Sequence, residues 1–235
     1  MIDLMVRGRT LHLTHFLYDM DDTLVRTWNN WLGAIQTYMQ QQTLPFDPDG
    51  ATQYLGKNCK DICQQIDSRF HQVQTSSIDL NQHVDILRNY LLDQVRQKPP
   101  EEVNGATVFL RSMADHVSQQ VVSGSPQAVI AQILQQKNWL AFLQGFRSSE
   151  TVAHGKPDPL IYNSVVADLQ VSKDQCLIFE DSPAGVEAAR RANIHCICIN
   201  PRIPVEASES LIGTFTDFTA LMDAHLIHLP YGNPF

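Results

Sequence analysis

Asp19, Asp21 and Thr23 are the residues with the clearest chemical potential, because they close the run Phe16-Leu17-Tyr18-Asp19-Met20-Asp21-Asp22-Thr23-Leu24-Val25. An apolar stretch there gives way to carboxylates spaced i, i+2 and then to a hydroxyl. Side chains alternate across an extended strand, so Asp19 and Asp21 can serve one centre only where the chain is leaving a sheet. Unpaired carboxylates at such range repel each other, which makes a cation their natural companion. An Asp-rich turn can equally cap a helix, so the rest of the chain must decide.

Three further segments combine chemistry with a strand end. Val121-Val122-Ser123-Gly124-Ser125-Pro126 offers a hydroxyl and a glycine just before a helix, which leaves backbone donors free for an anion. Gly155-Lys156-Pro157-Asp158-Pro159 holds a lysine between turn residues, a restraint that a lysine serving only solubility would not need. Leu177-Ile178-Phe179-Glu180-Asp181-Ser182-Pro183-Ala184-Gly185 delivers two acids, with Pro183 and Gly185 opening a helix against them. A lone acidic N-cap would account for only one of that pair.

The elements that must position these residues alternate between strand and helix. Phe16–Tyr18, Gln119–Val122, Cys176–Phe179 and Ile194–Ile199 read as strands. Ala106–Ala114, Pro126–Gln136 and Pro183–Ala192, the last ending at Asn193, read as helices. Such alternation predicts a doubly wound, Rossmann-like parallel sheet with its site at the carboxyl ends of the strands. Between about Thr27 and Lys98 the pattern turns wholly helical. Trp28, Trp31, Leu32, Ile35 and Met39 recur at helical spacing and read as packing. Pro45, Pro48 and Gly50 break that helix, Asp61-Ile62 sits in a second, and Val84, Ile86, Leu87, Tyr90, Leu91 and Val95 mark a third that stops at Pro99-Pro100. The expected division is an α/β core from 1–26 and 99–235, with an inserted helical cap domain at 27–98.

Composition narrows the partners. The chain has 235 residues, 43% of them hydrophobic, enough for one good core and a modest second lobe. A formal net charge of −8 disfavours nucleic acid and anionic membrane surfaces. The first fourteen positions contain Arg7, Arg9, His12 and His15 close by, so they suit neither a signal peptide nor a spanning helix, and a cytoplasmic location is expected. The five cysteines are odd in number; Cys59/Cys63 and Cys196/Cys198 lack CxxC spacing and histidine partners, so they read as free thiols rather than zinc ligands. Among nine histidines only His154 lies beside a motif. Oligomeric state is not written in these residues, and the tail Leu229–Phe235 suits either a docked strap or a loose end.

In this order, with a helical insert directly after the first, the four segments resemble the haloacid-dehalogenase-like (HAD) hydrolase superfamily. The likeness is greatest to its branch containing β-phosphoglucomutase and phosphoglycolate phosphatase, and runs from about Phe16 to Asn200. Asp19-Met20-Asp21-Asp22-Thr23 matches the family's DxDxT motif. Ser123 matches its strand-end hydroxyl, Gly155-Lys156-Pro157 its lysine motif, and Glu180-Asp181 its acidic motif. Asp22 departs from the pattern, since many members of this branch carry glycine there.

The resemblance implies a magnesium-dependent phosphatase acting on a small phosphorylated metabolite. Asp19 would attack phosphorus to form an aspartyl-phosphate, and Asp21 would act first as acid and then as base. Mg2+ would be held by the carboxylates of Asp19 and Asp181, the Asp21 carbonyl, phosphate and water, with Glu180 either a further ligand or a supporting acid. Lys156 would offset the shared negative charge. Ser123 and Gly124 would hold the phosphoryl oxygens, and Thr23, counted with them among the phosphate-binding residues, would orient the loop. Asp21 favours phosphate esters over the carbon–halogen and phosphonate chemistry of relatives that lack this acid. A mutase of the β-phosphoglucomutase type is the alternative, and its expected cap histidine and arginine fall at Trp31 and Cys59. A non-catalytic phosphate-binding or regulatory module is the other. In the cap loop, Gly56 is expected to permit close approach, and Lys57 or Lys60 to read the leaving group.

Overall fold

A computed structural model describes residues 1–6, 8–54, 56–70, 79–201 and 204–228. The chain opens on a hairpin, β1 (Ile2–Val6) and β2 (Arg9–Leu13), and enters the core as β3 (His15–Tyr18). It leaves through β4 (Val25–Arg26) into α1 (Trp28–Gln41), a 3-10 turn at Gly50–Tyr54, α2 (Cys59–Phe70) and α3 (Leu80–Gln97), then returns through β5 (Glu101–Glu102). The core continues with α4 (Ala106–Met113), β6 (Ser118–Ser123), α5 (Gln127–Gln136), β7 (Gly145–Ser148), α6 (Leu160–Leu169), β8 (Cys176–Glu180), α7 (Pro183–Ala192) and β9 (His195–Ile199). It ends with β10 (Leu211–Phe215), α8 (Phe218–Asp223) and β11 (Ile227–His228). The tail Leu229–Phe235 lies outside the described residues.

The main sheet is six-stranded in the order β10-β9-β8-β3-β6-β7, with every neighbouring pair parallel. Strand β3 is central, and the chain winds from it through β6 and β7 on one side and through β8, β9 and β10 on the other. That reversal opens a crevice beyond the carboxyl end of β3, where such sheets bind ligands. Burial on both faces explains why these strands are apolar without alternation. Phe16, Tyr18, Leu177, Phe179 and Ile197 pack to one side with Phe109 of α4, Ile130 of α5 and Phe218 of α8. Leu17, Val122, Ile178 and Cys196 pack to the other with Ile161 of α6 and Ala189 of α7. Each fully buried Phe or Ile contributes about 1.5–3 kcal/mol, so the strand holding Asp19 is anchored from above and below.

Within the helical segment Ile35, Tyr38 and Met39 of α1, Ile62 and Ile66 of α2, and Leu87, Leu91 and Val95 of α3 are buried, and they are continuous with the apolar cluster on one face of the sheet. The segment's two connections run side by side, since β4 pairs antiparallel with β5 through Val25↔Glu102 and Arg26↔Glu101. A two-residue ribbon on each side makes a narrow neck between the helices and the sheet. The hairpin β1–β2 joins β11 in a separate three-stranded sheet. Among the described residues no helix is long and apolar enough to cross a membrane.

Candidate active site

Tyr18 is the last residue of β3, and Asp19 follows it with its N–H donating to Phe179 O at 2.8 Å, one last bond of sheet-like pairing. From there the loop curls, with Leu24 and Val25 N–H both donating to Met20 O. Asp22 takes a positive φ of 58° in this curl. That conformation costs glycine nothing and Asp relatively little, which accounts for a residue other than glycine at this family position.

The other segments arrive at the same strand ends. Lys156 Nζ lies 2.5 Å from Asp19 Oδ1 and 2.5 Å from Glu180 Oε1, and donates to Val122 O at 3.3 Å. Glu180, the last residue of β8, is fully buried; its Oε1 also accepts from the Tyr162 hydroxyl of α6. Asp181 faces the crevice and accepts from Thr23 Oγ1 at 3.3 Å. Carboxylate oxygens of Asp19, Glu180 and Asp181 lie within 4.8 Å of one another. Asp21 receives hydrogen bonds from Thr27 at 2.7 Å and Trp31 at 3.1 Å on Oδ1, and from Ser123 at 2.8 Å and Ser125 at 2.7 Å on Oδ2.

Charge at this centre is unbalanced. Burial pushes Asp19 well above the ordinary carboxylate range; Lys156 pulls it down, while Glu180 and Asp21 add to the rise. Asp181 is raised by burial and then by Asp19, Glu180 and Asp22. Burial alone would depress Lys156, yet Asp19 and Glu180 outweigh it and hold the ammonium above its usual value. One lysine among this many acids leaves an electrostatic deficit that a divalent cation fits, and the all-oxygen donor set suits a hard one. Glu180 is the exception. It is absent from the cavity wall, and its Oε1 is taken by Lys156 and Tyr162.

The cavity is lined by Asp19, Asp21, Asp22, Gly124, Lys156, Asp181 and Ser182 from the core, and by Trp28, Trp31, Tyr54, Gly56 and Lys57 from the helical segment. Its volume is about 40 Å³, room for a few waters. Gly56 has a φ of +72°, and a Cβ there would lie 3.2 Å from Ser182 Oγ. This glycine lets the two bodies approach over the site.

The other residues named from the sequence take the following places. Thr23 is fully buried and holds Asp181 instead of facing the cavity. The Ser123 hydroxyl is turned to Asp21 and accepts from Ser125 N at 2.9 Å. Lys57 lines the cavity with its Nζ 2.5 Å from Gln65 Oε1, whereas Lys60 is exposed and lines a different cleft with Arg88 and Glu150. Cys59 is buried, and His154 is exposed outside the cavity wall. The Trp28 and Trp31 stripe does more than pack: both rings reach the cavity and Trp31 bonds Asp21. Thr27, Ser125 and Tyr162 have no role in the sequence reading, although Ser125 lies inside the strand-end motif; Gly185 is read there only as opening a helix, not as making room for Glu180.

A parallel sheet with paired acids and a fixed lysine at its carboxyl edge, roofed by an inserted helical segment, defines a doubly wound α/β hydrolase. A sequence profile described as haloacid dehalogenase-like hydrolase matches residues 16–199, and the chain belongs to that family. It is 24% identical over 213 residues to validoxylamine A 7'-phosphate phosphatase of Streptomyces hygroscopicus subsp. limoneus, covering 89% of this chain and 96% of that protein. It is 25% identical over 187 residues to the fructose-1-phosphate phosphatase YqaB of Escherichia coli (strain K12), covering 77% and 93%. Its fold matches the crystal structure of CbbY from Rhodobacter sphaeroides in complex with phosphate at a TM-score of 0.75, with 16% identity over 89% of this chain and 96% of that one.

Proposed function

We propose that this chain, a phosphoric monoester hydrolase, removes phosphate from a small phosphorylated sugar or sugar-like metabolite, using magnesium and an aspartyl-phosphate on Asp19. One observation carries the reading. Asp19 is paired with Lys156 at 2.5 Å beside Asp181, in a cavity that a helical segment covers.

The chemistry follows from a phosphate ester's resistance to nucleophiles, which the site must overcome by in-line positioning and neutralised charge. An Asp19 oxygen attacks phosphorus, the ester P–O bond breaks, and Asp21 gives a proton to the leaving oxygen. Asp21 then takes a proton from the water that hydrolyses the aspartyl-phosphate, releasing phosphate and restoring Asp19. Lys156 offsets the charge of Asp19 and the phosphoryl group, and the Gly124 segment offers backbone donors to its oxygens. Asp19, Asp181 and the Asp21 carbonyl would hold Mg2+, which would supply positive charge for the phosphoryl oxygens. Glu180 is best assigned to holding Lys156.

Residues 27–98 are read as a cap domain on the core formed by 1–26 and 99–235. Its contribution to the cavity is aromatic: Trp28, Trp31 and Tyr54, with Lys57. Rings of that kind suit the mixed apolar and hydroxylated surface of a sugar. The names of the two phosphatase relatives, which give validoxylamine A 7'-phosphate and fructose 1-phosphate as their substrates, support this class. Trp31 occupies the place of a mutase's expected histidine, which favours hydrolysis over intramolecular transfer.

The test is a panel of hexose, pentose and glycolate phosphates, plus a chromogenic aryl phosphate, with magnesium or with chelator. Turnover should require the cation, and Asp19→Asn should reduce kcat by at least roughly 10³-fold. Turnover that survives Asp19→Asn, or none on any ester, would exclude this function.

A further inference from the structure

We propose that Asn200 is a positioning residue for the loop after β3, holding it by the carbonyl of Asp22 and joining it to the neck of the helical segment through Arg26. The inference rests on the phosphatase reading above. Asn200 follows the last residue of β9, lies outside the four sequence motifs and does not line the cavity. Its own N–H donates to Phe215 O of β10 at 2.8 Å, so its backbone is fastened to the sheet. From that anchor its side-chain Nδ2 donates to Asp22 O at 2.7 Å, and its Oδ1 accepts from the Arg26 guanidinium of β4 at 3.2 Å.

The two partners call for a side chain with one donor and one acceptor. A backbone carbonyl can only accept and a guanidinium can only donate, and the short amide of Asn200 answers both. Asp22 and Asn200 also share a left-handed backbone, with φ of 58° and 54°. A residue with a Cβ stays in that region where its surroundings hold it there. Around Asp22 they do: its N–H donates to Val25 O at 2.6 Å and its carbonyl takes the Asn200 amide. The loop is otherwise closed on itself, with the N–H groups of Leu24 and Val25 both turned to Met20 O. Asn200 therefore supplies a tie from this loop to a strand two places away from β3 in the sheet. Asp21 is the residue next to that tie, so the same bond limits where its backbone can sit.

The experiment compares wild type, Asn200→Gly and Asn200→Asp. Glycine removes both side-chain bonds while suiting the left-handed backbone, so the fold is retained. Aspartate keeps an acceptor for Arg26 but sets a carboxylate against Asp22 O. Both variants should lower kcat on a hexose phosphate by about tenfold, less than the roughly 10²-fold of a full 1 Å misplacement. KM should change by less than about twofold, because Asn200 does not meet the substrate. In magnesium-free protein, amide hydrogen exchange in peptides covering residues 19–26 should be at least about fivefold faster in both variants, with residues 211–215 of β10 unchanged. An Asn200→Asp protein matching wild type in kcat and exchange would overturn the proposal. So would faster exchange spread across the whole sheet, which marks general destabilisation. Wild type without turnover sensitive to Asp19→Asn would instead sink the phosphatase reading, and the exchange comparison would still decide whether Asn200 holds the loop.

Discussion

Gly185→Ala sets two physical arguments against each other. Gly185 lies in the first turn of α7, its N–H donating to Ser182 Oγ at 3.1 Å. Helix propensity alone favours alanine by about 0.5–1 kcal/mol. The geometry points the other way. A Cβ at 185 would lie 1.9 Å from Glu180 Oε2 and 2.0 Å from its carboxyl carbon, whereas ordinary contact begins at 3.4 Å. Glu180 must therefore retreat by about 1.5 Å, the difference between those distances. It has nowhere free to go, being fully buried with Lys156 Nζ 2.5 Å from its other oxygen. Overpacking of this kind costs about 1–3 kcal/mol, or roughly 2–12 °C of melting temperature for a chain of this size. Lys156 would be dragged with its partner away from Asp19, and a displacement near 1 Å at such a centre costs about 10²-fold in rate. Thermal melts and steady-state kinetics on a hexose phosphate measure both. A variant melting at or above wild type with unchanged kcat would refute the proposed chain of contact from Gly185 through Glu180 to Lys156.

The other expectations concern the thiols and the cation. All five cysteines are buried, and burial pushes Cys63, Cys176 and Cys198 up to about 12. A chromogenic disulfide reagent at about pH 8 should therefore find no reactive thiol until the chain is unfolded; rapid labelling of the native protein would contradict the packing. Because burial raises Asp19 and Asp181, their contribution to the metal-free fold is fully present below the unfolded carboxylate value and is lost as pH climbs through the raised folded values. A divalent cation offsets that loss, so the rise in Tm on adding magnesium should be larger at about pH 8 than at about pH 5. Equal shifts at both would show that these acids are not what the cation meets.

The central strands and the helix Pro183–Ala192 were legible because each pairs a strong apolar signal with a clear boundary: a carboxylate at the strand end, a proline at the helix start and Asn193 at its close. Strand β7 was not, since Gly-Phe-Arg-Ser sits only half-buried at the sheet edge and has too few residues to show a period. Helix α6 is rich in Val, Ile and Tyr, so its composition argues for strand while tertiary packing makes it helix. The charged centre was readable wherever a turn residue flanks the acid or base. Tyr162 was invisible for the opposite reason: its role arises from a buried carboxylate, Glu180, that lies 18 residues away in sequence. Gly185 was visible as a helix opener, but the close approach of Glu180 that requires a glycine there was not.

The small cavity constrains how such a site could work. At about 40 Å³ it cannot hold a sugar phosphate, since pockets for ligands of that size run to several hundred Å³. Substrate entry therefore requires the proposed cap to swing away, and its contacts near the site suit that. Arg88 of α3 meets Glu150 at 2.7 Å with about a third of each side chain exposed, a pair worth no more than about 1 kcal/mol. Gly56 against Ser182 is a contact of close approach, not of interlocked side chains. The ribbon formed by β4 and β5 leaves a hinge only two residues wide on each side. The closed arrangement sets Trp31 against Asp21 and keeps bulk water from the carboxylates. Water exclusion and the Trp31 hydrogen bond would then be restored together as the proposed cap closes.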